Sequence, residues 1–246
     1  MIELEHVSKT YERTLAVDDL SLTVRQGEFF AFLGPNGAGK TTTIKLVAGL
    51  LRPNAGTIRV GGIDVEKDYL AAKAIMAYVP DQPYLYDKLS GREFLRFMGG
   101  MFGMNGGTLA AEIDLVSEQF NLRDFVDDLT DTYSHGMKQR LTLAATLLHH
   151  PKVVVVDEPL VGLDPQSARL VKNILREESR RGTTIFMSTH VLSIAEETAD
   201  RIGIIRKGKL VAVGTLGEVR SAWGGDGNLE DLFLRIVEEG GKGSNV

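Results

Sequence analysis

The chain has 246 residues, 43% of them hydrophobic, enough for one large domain with a buried core. A formal net charge of −5 leaves no basic surplus of the kind that phosphate neutralisation requires, so no nucleic-acid partner is expected. The lack of cysteine excludes disulfides, thiolate metal sites and a cysteine nucleophile, and no stretch approaches the roughly 18 uninterrupted apolar residues of a membrane span.

In chain order, the amino terminus is charged from its third residue and has no apolar targeting segment, so any membrane role is expected to come through a partner. Ile2 and Leu4, then Leu20, Leu22 and Val24, alternate at period two and predict half-buried antiparallel strands. Residues 57 to 65, with a Gly61-Gly62 turn, are expected to join that sheet. Residues 29–33, 75–79, 153–156 and 184–187 are short apolar runs, mostly β-branched or aromatic, suited to a parallel sheet covered on both faces. Ile44, Val47, Ala48 and Leu51 recur at helical spacing. From about Pro83 to Leu148 the strand signals stop and helices are expected, one of them opened by the capping box Ser90-Gly91-Arg92-Glu93. Asp164-Pro165 predicts an N-cap followed by proline in the first turn of a helix ending near Gly182. A loop at 224–228 precedes an amphipathic helix carrying Leu229, Leu232, Phe233, Ile236 and Val237, and the last seven residues are expected to be disordered.

The fold class is therefore α/β, a single domain with a mixed, mostly parallel sheet, an N-terminal antiparallel β subdomain and an inserted α-helical subdomain. The expected divisions are 1–82 for the antiparallel part and first piece of the core, 83–148 for the insertion, 149–215 for the second piece, and 216–246 for the terminal helix and tail.

Gly34-Pro35-Asn36-Gly37-Ala38-Gly39-Lys40-Thr41 follows an apolar strand, precedes a helix, and matches the phosphate-binding P-loop. Its glycines let successive N–H groups converge, and the positive end of the next helix points at the same spot, which makes a nest for phosphate oxygens. Lys40 is placed to neutralise the β- and γ-phosphates, Thr41 to offer its hydroxyl to Mg²⁺, and Thr42 to meet the α-phosphate. The plain alternative, a glycine turn, is disfavoured by the flanking strand and helix. The core reads as a P-loop NTPase that takes a nucleoside triphosphate with Mg²⁺.

A second apolar strand ends in Asp157-Glu158, at the carboxyl end where open parallel sheets present their ligands. Asp157 is expected to hold Mg²⁺ through water, and Glu158 to face the γ-phosphate and polarise the attacking water. A solvated strand end is the bland alternative, weakened by the phosphate cradle elsewhere in the chain.

Together with Tyr133-Ser134-His135-Gly136-Met137-Lys138-Gln139-Arg140, these residues resemble the ATP-binding cassette (ABC) ATPases over nearly the whole chain. The family signature runs Leu-Ser-Gly-Gly-Gln; Ser134 and Gly136 match it, whereas Tyr133, His135 and Met137 depart. The segment still opens a helix with Leu141, Ala144, Ala145 and Leu148 on one face, so its first N–H groups and the Ser134 hydroxyl suit an anion. The resemblance implies that this anion is the γ-phosphate of ATP held by a second ATPase subunit, with two cassettes, expected as a homodimer, sandwiching two ATP head to tail. His135 either adds a donor or faces solvent. Tyr11 stands where the family stacks an aromatic ring on adenine, though a tyrosine there also reads as a packing residue. Gly162-Leu163-Asp164 matches the D-loop that crosses the dimer, and His190 matches the histidine that touches the γ-phosphate, joining Glu158 and Lys40 as a catalytic candidate. In Tyr78-Val79-Pro80-Asp81-Gln82-Pro83 the family's Q-loop glutamine falls on Asp81, with Gln82 one residue late; either side chain can bring an oxygen to Mg²⁺ or its water.

The same resemblance implies ATP hydrolysis coupled to transport, with export as the expected direction, through a separate integral membrane permease that docks on the Q-loop and the helices beyond it. The chain is then expected in the cytoplasm, peripheral on the inner face of the plasma membrane. A soluble ABC ATPase acting on nucleic acid or the ribosome is the rival, but it resembles tandem cassettes or cassettes split by long coiled coils, and neither occurs here. A nucleotide sensor without hydrolysis is disfavoured by the presence of Lys40, Asp157 and Glu158 together.

Overall fold

Period-two alternation at the start of the chain produces a hairpin, Ile2–Tyr11 (β1) and Thr14–Val24 (β2), in which Ile2 faces Val24 and Leu4 faces Leu22. The computed structural model describes residues 1–223 and 229–239. After the hairpin, Phe29–Leu33 (β3) runs into Lys40–Val47 (α1), and Ala55–Val60 (β4) and Ile63–Asp64 (β5) return to pair with β1. Tyr69–Ala74 (α2) leads into Met76–Val79 (β6). The helices Gly91–Met101 (α3), Gly106–Gln119 (α4) and His135–Leu147 (α5) follow, with a short 3-10 turn at Thr130–Thr132. The second half alternates as Val153–Asp157 (β7), Pro165–Arg180 (α6), Thr184–Thr189 (β8) and Leu192–Thr198 (α7). Arg201–Arg206 (β9) and Lys209–Gly214 (β10) form a hairpin, and Leu216–Trp223 (α8) and Leu229–Glu239 (α9) close the described chain.

Two sheets result. The antiparallel one has the order β2-β1-β4-β5, and the larger one the order β10-β9-β3-β8-β7-β6, parallel except for β10. Its central strands are buried on both faces, as their continuous apolar runs require. Along β3 the side chains sort by parity: Phe29, Ala31 and Leu33 enter the core shared with the inserted helices, while Phe30 and Phe32 enter the core under the antiparallel sheet. Each fully buried phenylalanine contributes on the order of 2–3 kcal/mol of transfer free energy.

Register is what builds the site. Leu33 lies opposite Thr189, and Asp157 opposite Ser188, so the carboxyl ends of β3, β7 and β8 stop side by side. Segments far apart in sequence thereby share one edge of the sheet.

The capping signals hold. Ser90 Oγ accepts from the Glu93 amide at 3.3 Å while Glu93 Oε2 accepts from the Ser90 amide at 2.8 Å, and Asp164 Oδ1 accepts from the amides of Gln166 and Ser167, each at 3.0 Å. Some boundaries move. Helix α1 ends a turn early, because Gly49 takes φ 65° and the amides of Gly49 and Leu50 bond back to Leu46 and Lys45; Leu51 packs from beyond the helix. Residues 57–65 divide into β4 and β5 around Gly61 and Gly62, both at positive φ. The β9–β10 hairpin, α2, α7 and α8 were not anticipated in the sequence. In α9, Leu229, Leu232 and Ile236 are buried, and Phe233 and Val237 pack partly against the same core. The loop expected at 224–228 and the disorder expected over the last seven residues lie outside the described residues.

Candidate functional site

The converging strand ends open into a cleft of about 500 Å³ lined by residues 14–16, most of the 35–42 loop, Asp81, Glu158 and Lys207. The loop can take this shape only with glycine at its tightest point. Gly39 has φ 111°, and a Cβ there would lie 2.4 Å from the Ala16 carbonyl oxygen. Gly37 faces open space, with nothing within 4 Å of an added Cβ. Gly39 caps α1, whose first residues Lys40, Thr41 and Thr42 line the cleft with Pro35 and Asn36. Ala38 is buried and anchors the loop, its amide bonding Pro35 O at 3.1 Å. Gly34 is equally confined: a Cβ there would meet Ile205 O at 2.5 Å.

Lys40 is almost fully buried. Its Nζ donates to Gly34 O at 2.7 Å and to Pro35 O at 3.3 Å, and stands 3.7 Å from Glu158 Oε1. The ammonium is thus oriented by the loop it serves, with the carboxylate of Glu158 beside it.

Glu158 sits just past β7 in the left-handed region, φ 50°, an uncommon conformation for a non-glycine residue that tertiary structure must enforce. Its amide bonds Ser188 O at 3.2 Å, which holds it there. The side chain reaches His190, whose Nδ1 lies 2.9 Å from Oε1 and whose amide donates to Oε2 at 3.3 Å. Lys40, Glu158 and His190 therefore form one connected group.

Asp157 is wholly buried beneath the cleft; its Oδ1 accepts from the Ser188 hydroxyl, while Oδ2 has no partner. Burial raises this carboxyl above the usual carboxylate range, the Ser188 and Thr41 hydroxyls pull it back, and the charges of Asp81 and Glu158 push it up again. The same acids act on Tyr78, which burial and the charges of Asp157 and Asp81 push to about 12. An orphaned buried carboxylate oxygen with the Thr41 hydroxyl and Asp81 close by is an all-oxygen donor set, which fits a hard divalent cation such as Mg²⁺. Of the two Q-loop candidates, Asp81 lines the cleft and Gln82 is exposed outside its lining.

The signature segment stands elsewhere. Ser134 caps α5, accepting from the Met137 amide at 3.3 Å. His135 Nε2 lies 3.3 Å from Val161 O and against Gly162, while Gly136 backs onto Leu163, Asp164 and Ser167. None of residues 134–136 or 162–164 lines the cleft. Tyr11, 42% exposed at the end of β1 with the Lys9 ammonium 5.5 Å from its ring centroid, is also outside the lining. Sequence reasoning passed over Ser188, which orients Asp157, and Lys207, which lines the cleft. For Lys207 the available signal was the Lys207-Gly208 turn between two apolar runs.

Among the described residues no helix is long and apolar enough to cross a membrane. A family model described as "ABC transporter" matches residues 17–161. The linearmycin resistance ATP-binding protein of Bacillus subtilis (strain 168) is 37% identical over 92% of this chain and 73% of its own length. The daunorubicin/doxorubicin resistance ATP-binding protein of Streptomyces peucetius is 39% identical over 91% of this chain and 68% of its own. A solved structure described as the ATP binding subunit of an ABC transporter superposes with a TM-score of 0.90 at 30% identity, covering 96% of this chain and 99% of that one.

Proposed function

The chain belongs to the ABC transporter family as an ATP-binding subunit with ATPase activity, and from that premise we propose that two copies close around two Mg·ATP to drive export through a separate membrane permease. The observation that carries this reading is the separation within one chain of the P-loop cleft and the Ser134–Gly136 segment, which packs on the 161–167 region instead. A second copy, presenting its own Ser134 and the N-terminus of α5, completes the enclosure of the γ-phosphate, with Gly162, Leu163 and Asp164 at the crossing.

In the closed pair, the 34–42 amides and Lys40 hold the phosphate chain, Tyr11 packs on the adenine, and Thr41, Asp157 and Asp81 would hold Mg²⁺. Mg²⁺, when bound, would supply charge compensation to the phosphate chain. Glu158 accepts hydrogen bonds from the attacking water and orients it in line, while His190 fixes the carboxylate and faces the γ-phosphate. Partner closure excludes bulk water, and loss of the γ-phosphate after hydrolysis loosens the sandwich.

The Asp81 segment leads into the inserted helices, where Tyr84, Tyr86, Phe97, Met101 and Phe102 are exposed apolar side chains on one subdomain. That concentration supports docking of a permease there, which would hold the chain at the inner face of the plasma membrane. The relatives named for resistance to linearmycin and to daunorubicin support export as the direction. The test is assembly: the Glu158→Gln chain with saturating ATP is expected to elute as a dimer, and Glu158→Gln with Ser134→Arg as a monomer. A Glu158→Gln chain that binds ATP and stays monomeric overturns the sandwich.

A further inference from the structure

The nucleotide cleft has a wall residue that none of the motifs above includes. Lys207 lines it together with the phosphate loop, Asp81 and Glu158. Arg206 pairs with Lys209 across the β9–β10 ladder, so Lys207 and Gly208 make a two-residue turn, with φ of 48° and 82°. Such a turn favours asparagine or glycine at its first position, so lysine is not there for the sake of the turn.

The turn is also fixed in place. Gly208 N–H donates to Ala38 O at 2.8 Å, and Gly208 O accepts from Asp18 N–H at 2.9 Å. A Cβ on Gly208 would come 3.1 Å from Ala16 O, the same carbonyl that bars a side chain from Gly39. The Lys207 backbone is thereby locked to the phosphate loop through Ala38 and to the cleft wall through Ala16. Two nearby lysines are engaged: Lys40 with the Gly34 and Pro35 carbonyls, and Lys209 with Asp18 at 3.2 Å. Lys207 is exposed and forms no ion pair among the described residues.

We propose that Lys207 is a second cationic ligand of the nucleotide's phosphate chain, reaching it from the Ala16 side of the cleft. This rests on the reading of the cleft as an ATP site and adds to it a residue from the far hairpin. The interaction is a flexible ammonium on an anion at a solvated rim, so it adds affinity and is screened by salt.

The experiment is equilibrium binding of Mg·ATP to the full chain at low and high salt, for the wild type, Lys207→Gln, Lys207→Asn and Lys207→Arg. Lys207→Gln is expected to bind roughly three- to tenfold more weakly at low salt, with the loss shrinking at high salt. Lys207→Asn suits the left-handed turn and is expected to show the same loss, whereas Lys207→Arg restores binding. Unchanged low-salt affinity in Lys207→Gln overturns the proposal, as does a loss in Lys207→Gln that Lys207→Asn does not share. A wild-type chain that does not bind Mg·ATP overturns the nucleotide-site reading itself, which separates the two failures.

Discussion

His190 grips both oxygens of Glu158, through Nδ1 at 2.9 Å to Oε1 and through its amide at 3.3 Å to Oε2, although 32 positions separate the two residues in the chain. The carboxylate is therefore aimed by one strand end, β8, while its backbone belongs to another, β7. Replacing Glu158 by Gln keeps the shape and removes the carboxylate proposed as the base, so turnover is expected to fall by about a hundredfold or more while nucleotide binding persists. Steady-state hydrolysis beside equilibrium ATP binding checks it; a normal turnover rate removes Glu158 from the role of base.

His190→Ala keeps the amide contact to Oε2 and removes the ring contact to Oε1, so the Glu158 carboxylate is aimed less firmly. The expected result is a kcat reduced by roughly ten- to a hundredfold with a much smaller change in ATP affinity, since orientation acts mainly on the transition state. An affinity loss with kcat intact would assign His190 to substrate binding alone.

The proposed Mg²⁺ site offers a test between the two Q-loop candidates. Asp81 lines the cleft and raises the Asp157 carboxyl electrostatically, whereas Gln82 lies outside the lining. Asp81→Ala is expected to shift the Mg²⁺ concentration for half-maximal hydrolysis upward several-fold, on the order of 1 kcal/mol, and Gln82→Ala to shift it less. The reverse ranking would move the role to Gln82.

His149 gives the chain an acid-sensitive joint. Its ring stacks on Phe102 with centroids 3.5 Å apart, and burial, with the His150 charge second, pushes it from the ordinary 6.5 to about 4. A depressed folded pKa means that the unfolded chain binds more protons between these values, so the stability gained from keeping His149 neutral is complete above 6.5 and is lost as pH falls towards about 4. The melting temperature should fall across that window, and less steeply in His149→Phe. Parallel slopes for the two proteins would show that another group controls the acid response.

Phe186 tests the core under the antiparallel sheet. It is fully buried, with its ring centroid 5.6 Å from Phe30 and 5.5 Å from Phe32. Phe186→Ala is expected to cost about 3–5 kcal/mol in denaturant unfolding, because the close-packed neighbours cannot collapse into the void. A cost below about 1 kcal/mol would mean that the two sheets pack loosely here.

Much of this molecule is legible in one dimension, for a local reason in each case. The alternation of Ile2 and Leu4 against Leu20 and Leu22 follows from a pleat with one buried face. The Ser90 and Asp164 caps answer helix ends within three residues, and the P-loop is a contiguous stretch whose glycines the backbone geometry demands. What depends on contacts distant along the chain was not legible. The alternatives Asp81 and Gln82 differ by one position in sequence and by presence in the cleft in space. Likewise Ser188 earns its place beside Asp157, and Lys207 its place beside the phosphate loop, only after parallel strands have been laid in register and a hairpin bonded to Ala38. Sequence periodicity specifies which face of an element is apolar; which ends of which elements meet is decided by how the buried faces pack, and the cleft exists only there.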